Sequence, residues 1–485
     1  MIMKLLTPIA LINLASLAIS SLSQAEPVRL LDCAPQFRSK AVLQQGVEVP
    51  VWGRAVEGSE ITVTFAGQSH TTKADAEGNW KVVLKALKAD SLDDLSTAPE
   101  GRDLKMSDGK DTITLTNILV GEVWLASGQS NMAGKVRNNV PDPKDDLTKV
   151  SMPAIRQYRA DTGWYSACGE EVREFSKVGL TFARKLQKEL KVPVGILNAT
   201  RGGSAIETWT RPEDQPQEGE QTKNGKKKRP YGTLYTSTLQ PLIGTAIKGA
   251  LWYQGEANAK EGFAYYDKLE TLIKGWREEW GQGDFPYHVV QLAGIGESDP
   301  ANPTMGDGRA AIRAAQMRAM QQIPNVGLAT AVEIGGPKEH PPNKTDIGKR
   351  LAHWALHHQY DRKIQASGPI YAGYQKRCST FAIRFENAKK LFFAEKDGSG
   401  APVVSPGNTQ LPWISIRDPE GVWHWALAWI EGNELLVHHP DIRNPKAVRY
   451  AWTNNPTGPY LYNEAGLPAF PFTTEKWEDI SKKIE

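Results

Sequence analysis

Leu119-Val-Gly-Glu-Val-Trp-Leu-Ala-Ser-Gly-Gln-Ser-Asn-Met-Ala-Gly134 is the stretch whose reading decides the architecture. Leu119 to Ala126 is a nearly continuous apolar run, the composition of a strand covered on both faces. Glycine and serine follow at once, so the strand gives way to a turn at Gly128 and a helix beyond it. A serine at such a turn has its hydroxyl exposed at the carboxyl edge of a parallel sheet, with the next amides pointing into the same cleft. That suits a nucleophile; helix capping is the other common use of a serine there, and the local sequence alone leaves both open for Ser130.

The flanking sequence supplies the rest of that sheet. An amphipathic helix carries Phe175, Val178, Phe182, Leu186 and Leu190 on one side and leads into Val192-Pro-Val-Gly-Ile-Leu197. Ala250 to Tyr253, Tyr287 to Leu292 and Val326 to Val332 read as further buried strands, with helical stretches such as Arg309 to Met320 between them. Strand and helix in alternation predict an α/β fold: a central parallel sheet with helices on both faces. Upstream, period-two segments such as Val47 to Trp52 and Ile61 to Phe65, separated by turn residues, predict an N-terminal β-sandwich. Alternation returns in Thr380 to Phe385, Trp423 to Trp429 and Glu434 to His438, predicting a C-terminal β-sandwich module. The expected division is 26–118, 119–366 and 367–485.

Residues 1–25 read as an export signal: Lys4 gives a positive start, Leu5 to Leu22 is uncharged and mostly apolar, and Ser23 and Ala25 close it with small side chains. The expected location is periplasmic or extracellular, with no stable membrane insertion after cleavage. The 58 basic and 55 acidic residues leave a net charge of +3, too dilute for the concentrated basic face that nucleic-acid binding needs. With 43 Gly, 31 Pro and 15 Trp the chain favours turns, short strands and aromatic surfaces that grip sugars over long helical bundles. Cys33, Cys168 and Cys378 allow at most one disulfide, which rules out a disulfide scaffold. The polar stretch Glu213 to Arg229 reads as a solvated loop, and oligomeric state is not legible.

Three other segments end predicted parallel strands and so share an edge with Ser130: Asn198 to Ser204, Gln254 to Asn258, and His340-Pro341. Acyl transfer needs a hydroxyl, an imidazole to take its proton, and donors aimed at the developing oxyanion. Gly203 lets a backbone amide approach closely and Gln254 offers a side-chain NH2. Among nine histidines, His340 is the best base. His353 and His357 share a helix face, but a zinc-protease motif requires Glu where Trp354 stands, so no metal or other cofactor is expected.

These residues carry a resemblance. Val42-Leu-Gln44, Gly121-Glu-Val-Trp124, Gly128-Gln-Ser-Asn-Met132, Trp252-Tyr-Gln-Gly-Glu256, His340-Pro-Pro-Asn-Lys344 and Gly348-Lys-Arg-Leu351 resemble the sialate O-acetylesterase family within the SGNH (GDSL-like) hydrolases. The likeness continues through Ala447 to Trp452 and Gly466 to Phe472. It implies an SGNH-type central domain and a serine esterase that removes acetyl groups from sugar hydroxyls without a metal. It further implies Ser130 as nucleophile, His340 as general base, and the Ser130 amide, Gly203 and Gln254 as the oxyanion hole. Arg201 and Glu256 are candidate substrate contacts.

One departure matters. The superfamily usually has Asp three residues before the histidine, where this chain has Pro337, and the family's Asp-Ile-His is here Lys338-Glu339-His340. Glu339 is the favoured carboxylate behind the imidazole, Glu333 the second candidate, and a Ser-His dyad without one the third. A non-catalytic carbohydrate-binding protein, an esterase for other acyl chains, and an acetyl xylan esterase-like enzyme stand as alternatives.

Overall fold

The Leu119 run belongs to a longer strand: Thr112–Gly128 is 17 residues without a break. A computed structural model describes residues 31–138, 145–215, 222–223, 226–227, 230–306, 308–396, 401–404 and 411–483. The segment read as an export signal, and most of the polar stretch from Glu213 to Arg229, lie outside these. Residues 112–117 are largely exposed and pair antiparallel with Arg102–Ser107, whereas every residue from Ile118 to Gly128 is buried. The change in burial marks where a one-sided antiparallel sheet becomes a parallel sheet covered on both faces.

Five parallel strands form the middle of that sheet. Val194–Thr200 lies on one side of Thr112–Gly128, and Gly249–Tyr253, Tyr287–Gln291 and Val326–Thr330 follow on the other. Numbered along the chain they stand 2-1-3-4-5, the flavodoxin-like order. Met152–Arg159 adds a further parallel strand beyond Val194–Thr200, and Gly163–Ala167 closes that edge antiparallel. Short apolar strands fit here because helices cover both faces. Helix α2 (Lys177–Leu190) packs on α5 (Lys344–His358), while α3 (Tyr265–Trp280) and α4 (Gly308–Gln322) pack together. Gly348 makes the α2–α5 approach possible, since a Cβ there would stand 2.7 Å from the Thr181 Cβ and the Val178 carbonyl.

Trp124 and Trp252 anchor the two layers. Trp124 meets Phe182 edge-on at 5.0 Å and stacks on His288 at 5.5 Å, its indole NH on the Tyr360 hydroxyl. Trp252 meets Trp209 and Trp276 edge-on and donates to the Tyr265 hydroxyl. Large aromatic rings fill such interiors well when each polar tip finds a partner.

His288 is the weak point of this core. Its ring is buried, Nε2 faces Gln359 Oε1 at 3.1 Å, and Nδ1 has no partner among the described residues. Burial pushes the imidazole down to about 3, against a smaller rise from the Gln359 bond and a small lowering by His358. The unfolded chain therefore takes up a proton first. The stability tied to this ring is complete above the ordinary value of 6.5 and is lost as pH falls toward 3, by up to about 1.4 kcal/mol per pH unit. Urea denaturation at pH 7 and pH 4.5 should show a smaller acid loss for His288→Gln than for the unmodified chain; equal losses would exclude this origin.

The N-terminal module shares the central core. Its strands Asp32–Cys33, Val49–Arg54 and Asn79–Leu84 form one sheet, and Glu60–Phe65, Gln68–Lys73 and Arg102–Ser107 run into the long strand. The C-terminal region is three small antiparallel sheets around a separate core that includes Phe381, Ile416, Leu435 and Tyr450. Val332, just past the Val326–Thr330 strand, belongs to that second core. Arg313 of α4 donates to the Thr453 and Asn454 carbonyls at 2.6 and 2.7 Å, so the C-terminal region is bolted to the sheet's carboxyl edge. Cys33, Cys168 and Cys378 are all unpaired. No described helix is long and apolar enough to cross a membrane.

Candidate active site

Parallel register brings three strand ends level: Gly128 is aligned with Thr200 on one side and Tyr253 on the other. The segments that follow are stitched together by backbone. Gln129 NH donates to the Tyr253 carbonyl and Arg201 NH to the Gly128 carbonyl, each at 3.0 Å. Gly128 permits this closeness: its φ is +123°, and a Cβ would lie 2.2 Å from the Tyr253 carbonyl oxygen.

Ser130 is the first residue of the short helix α1 (Ser130–Ala133), behind an N-cap Gln129 whose side chain makes no capping bond. Its Oγ lies 2.8 Å from His340 Nε2, across 210 residues of sequence. The hydroxyl is thus committed to the imidazole and caps nothing; the capping serine nearby is Ser176, which accepts from the Gly179 NH in α2. Gly202 and Gly203 are exposed beside it, and a Cβ on Gly202 would stand 3.7 Å from the Ser130 Cβ. Gly203 has φ +66° with nothing within 4 Å of a built Cβ. The amides of Ser130 and Gly203 have no partner among the described residues. A hydroxyl on an imidazole, flanked by two unsatisfied amides, is equipped for acyl transfer.

The remaining expected residues are placed differently. Gln254 is fully buried. Its NH2 is shared among Asn258 Oδ1 at 2.7 Å, the Ser204 carbonyl at 3.1 Å and Gln129 Oε1 at 3.2 Å, while its Oε1 accepts from Tyr265. It holds three loops together, and its amide protons are spent inside the protein rather than offered to a substrate. Glu339, the favoured orienting carboxylate, does not reach the imidazole: its side chain is exposed and faces Arg309 at 3.6 Å. The backbone bends through residues 337–340, and the bend does not turn this carboxylate onto the imidazole. Glu333 is buried and clamped by Arg350, which also holds the Thr330 carbonyl at 2.5 Å. Breaking such a buried pair would cost about 3–5 kcal/mol, so Glu333 is not free to swing to His340. Arg201 is exposed, and its guanidinium has no partner among the described residues.

Glu256 points inward. One carboxylate oxygen accepts from Asn131 Nδ2; the other is buried without a partner. Lys344 Nζ donates to Asn131 Oδ1 and sits 5.4 Å from the centre of the Tyr253 ring. Burial pushes the Glu256 carboxyl up, against the Asn131 bond and the Lys344 and Arg309 charges. Burial likewise brings the Lys344 ammonium down to about 7, with Glu256 opposing and Lys177 reinforcing. Asn131 and Lys344 lie in the motifs quoted above, but no spacing rule assigned them a part; their pairing across 213 residues is purely tertiary. Among the described residues no three His, Cys, Asp or Glu side chains are placed to hold a metal.

The strand order, with a serine and a histidine meeting at its carboxyl edge, is shared with carbohydrate esterase folds. A solved carbohydrate acetylesterase from Xanthomonas citri is similar over 92% of this chain and 100% of its own, with TM-score 0.78 and 29% identity. The model of the carbohydrate esterase, sialic acid-specific acetylesterase family matches residues 120–357. Over those residues the chain is similar to that family, and its enzyme class is carbohydrate O-acetylesterase. Among curated relatives, human sialate O-acetylesterase is 24% identical over 480 residues, covering 87% of this chain and 88% of its own. The rat sialate O-acetylesterase is 23% identical over 511 residues, covering 87% and 90%.

Proposed function

We propose that this carbohydrate acetylesterase is exported and works through a covalent acetyl-enzyme on Ser130. The observation that carries the reading is the 2.8 Å contact between Ser130 Oγ and His340 Nε2 at the sheet edge. His340 takes the hydroxyl proton as Oγ attacks the acetyl carbonyl, and the amides of Ser130 and Gly203 receive the negative charge that develops on the carbonyl oxygen. The C–O bond to the sugar then breaks, and the sugar oxygen leaves with the proton from His340. Water, deprotonated by the same imidazole, attacks the acetyl-enzyme and releases acetate. With Glu339 on Arg309 and Glu333 on Arg350, the reading is of a Ser-His dyad.

Arg201, exposed and just past the strand end level with Gly128, supports a substrate that bears a carboxylate, since a guanidinium pairs with planar anions in two parallel bonds. An O-acetylated sialic acid has both the ester and the carboxylate. Export rests on Lys4, the uncharged run to Leu22 and the small residues Ser23 and Ala25. The test is acetate release from O-acetylated sialic acid, acetylated xylan and a neutral acetylated sugar, beside acetate, butyrate and octanoate aryl esters. Acetate from the acidic sugar in preference to the others is expected. Preference for octanoate would indicate an esterase for longer acyl chains, and sugar retention without turnover of any ester would indicate a binding protein.

A further inference from the structure

His340 needs something to hold its ring on Ser130, and among the described residues the imidazole's hydrogen bond is to Ser130 Oγ alone. A carboxylate on the far nitrogen is the common device, and both carboxylates on this loop are engaged elsewhere. The loop is instead fixed through its backbone. Asn131, next in sequence to Ser130, donates from Nδ2 to the carbonyl of Glu339, next in sequence to His340, at 3.1 Å. The same Nδ2 donates to Glu256, and Oδ1 accepts from Lys344, the first residue of α5. One amide thereby ties down both ends of the segment Glu339-His-Pro-Pro-Asn-Lys344, and the two prolines inside it restrict the backbone between the ties. Asn131 is 1% exposed, Lys344 2% and Glu256 8%.

We propose that Lys344, Asn131 and Glu256 form a buried relay that positions His340 over Ser130, standing in for a carboxylate on the imidazole. The chemistry of the three groups fixes the amide in one sense. Oδ1 accepts from Lys344 Nζ. A carboxylate oxygen and a main-chain carbonyl accept, so Nδ2 must face Glu256 and Glu339. A flipped amide would set NH2 against ammonium and oxygen against oxygen, and the Glu339 peptide would lose its anchor. The three are positioning residues: they act on the reaction through the peptide before His340. The proposal rests on the reading of Ser130 and His340 as nucleophile and base.

The experiment uses the full chain and an acetate aryl ester, with Ser130→Ala assayed in parallel. Asn131→Asp is isosteric and keeps the Lys344 contact, but presents oxygen to two acceptors. A misplacement of about 1 Å costs roughly 100-fold, so kcat should fall about 100-fold for Asn131→Asp and Lys344→Met, with KM within about 3-fold. Glu256→Gln retains an acceptor for Nδ2 and should stay within about 3-fold of the unmodified enzyme, while Glu256→Leu should fall with the others. Should Lys344→Met fail to fold, the Asn131→Asp and Glu256 pair decides, folding being checked by thermal denaturation. Unchanged kcat in Asn131→Asp, or equal loss in Glu256→Gln and Glu256→Leu, would overturn the relay. Turnover surviving in Ser130→Ala would instead overturn the reading beneath it.

Discussion

Ser130→Ala is expected to lower kcat/KM for an acetate ester by about 10⁴-fold or more while leaving the fold intact, as in hydrolases that lose their nucleophile. The side chain is only half-buried and its bond is to His340, so removing one oxygen opens no cavity and breaks no cap. Stability should change by no more than about 0.5 kcal/mol, the range for substitutions away from core, caps and strained backbone. His340→Ala should lose a similar factor, and the double variant little more, because the two groups act on one proton in one step. Stopped assays of acetate release, with urea denaturation of each variant, read both quantities. Near-normal turnover by a folded Ser130→Ala would remove the serine mechanism altogether.

Gly128→Ala is expected to have the largest effect on stability, above about 4 kcal/mol, or to prevent soluble expression. The added methyl would lie 2.2 Å from the Tyr253 carbonyl oxygen, in a backbone with φ +123°. Neither partner can yield. The obstacle is main chain at the buried ends of two paired parallel strands, and the Tyr253 carbonyl is already the acceptor for Gln129 NH. Forced overpacking costs about 1–3 kcal/mol where side chains can adjust, and strained backbone adds its own cost of similar size. Gly203→Ala is the control. Its φ of +66° strains any side chain, but the methyl would meet nothing within 4 Å. It should cost about 1–2 kcal/mol, the ordinary price of a left-handed residue. A Gly128→Ala protein as stable as Gly203→Ala would contradict the close packing described at the nucleophile turn.

Sequence alone located the sheet and the four segments that meet at its edge, because those follow from local patterns: apolar runs, glycine turns and helical spacing. Ser130 and His340 came together for the same reason, each lying just past a strand end. What the sequence did not place is where several other side chains point. Glu339 is the neighbour of His340 in sequence and faces Arg309 in space. Gln254 and Glu256 sit in a motif that reads as substrate-facing, and both turn into the interior, where they join Asn258, Tyr265 and Asn131. Lys344 enters the sequence reading only as the end of the His340 to Lys344 motif, and only the fold reveals that it is 2% exposed beneath the site. Such placements are decided by partners up to 213 residues away, and no periodicity encodes them.

The unbroken run from Thr112 to Gly128 has a practical corollary. At about 3.3 Å per residue its 17 residues make a rod of about 56 Å that starts among the strands of the first module and ends one peptide short of Gln129. Severing the polypeptide at the apparent border near residue 118 would slice through this rod and through the apolar interior that the two modules hold in common. The amino-terminal module is therefore structural footing for the Ser130 turn, and shortened versions of the enzyme should retain it.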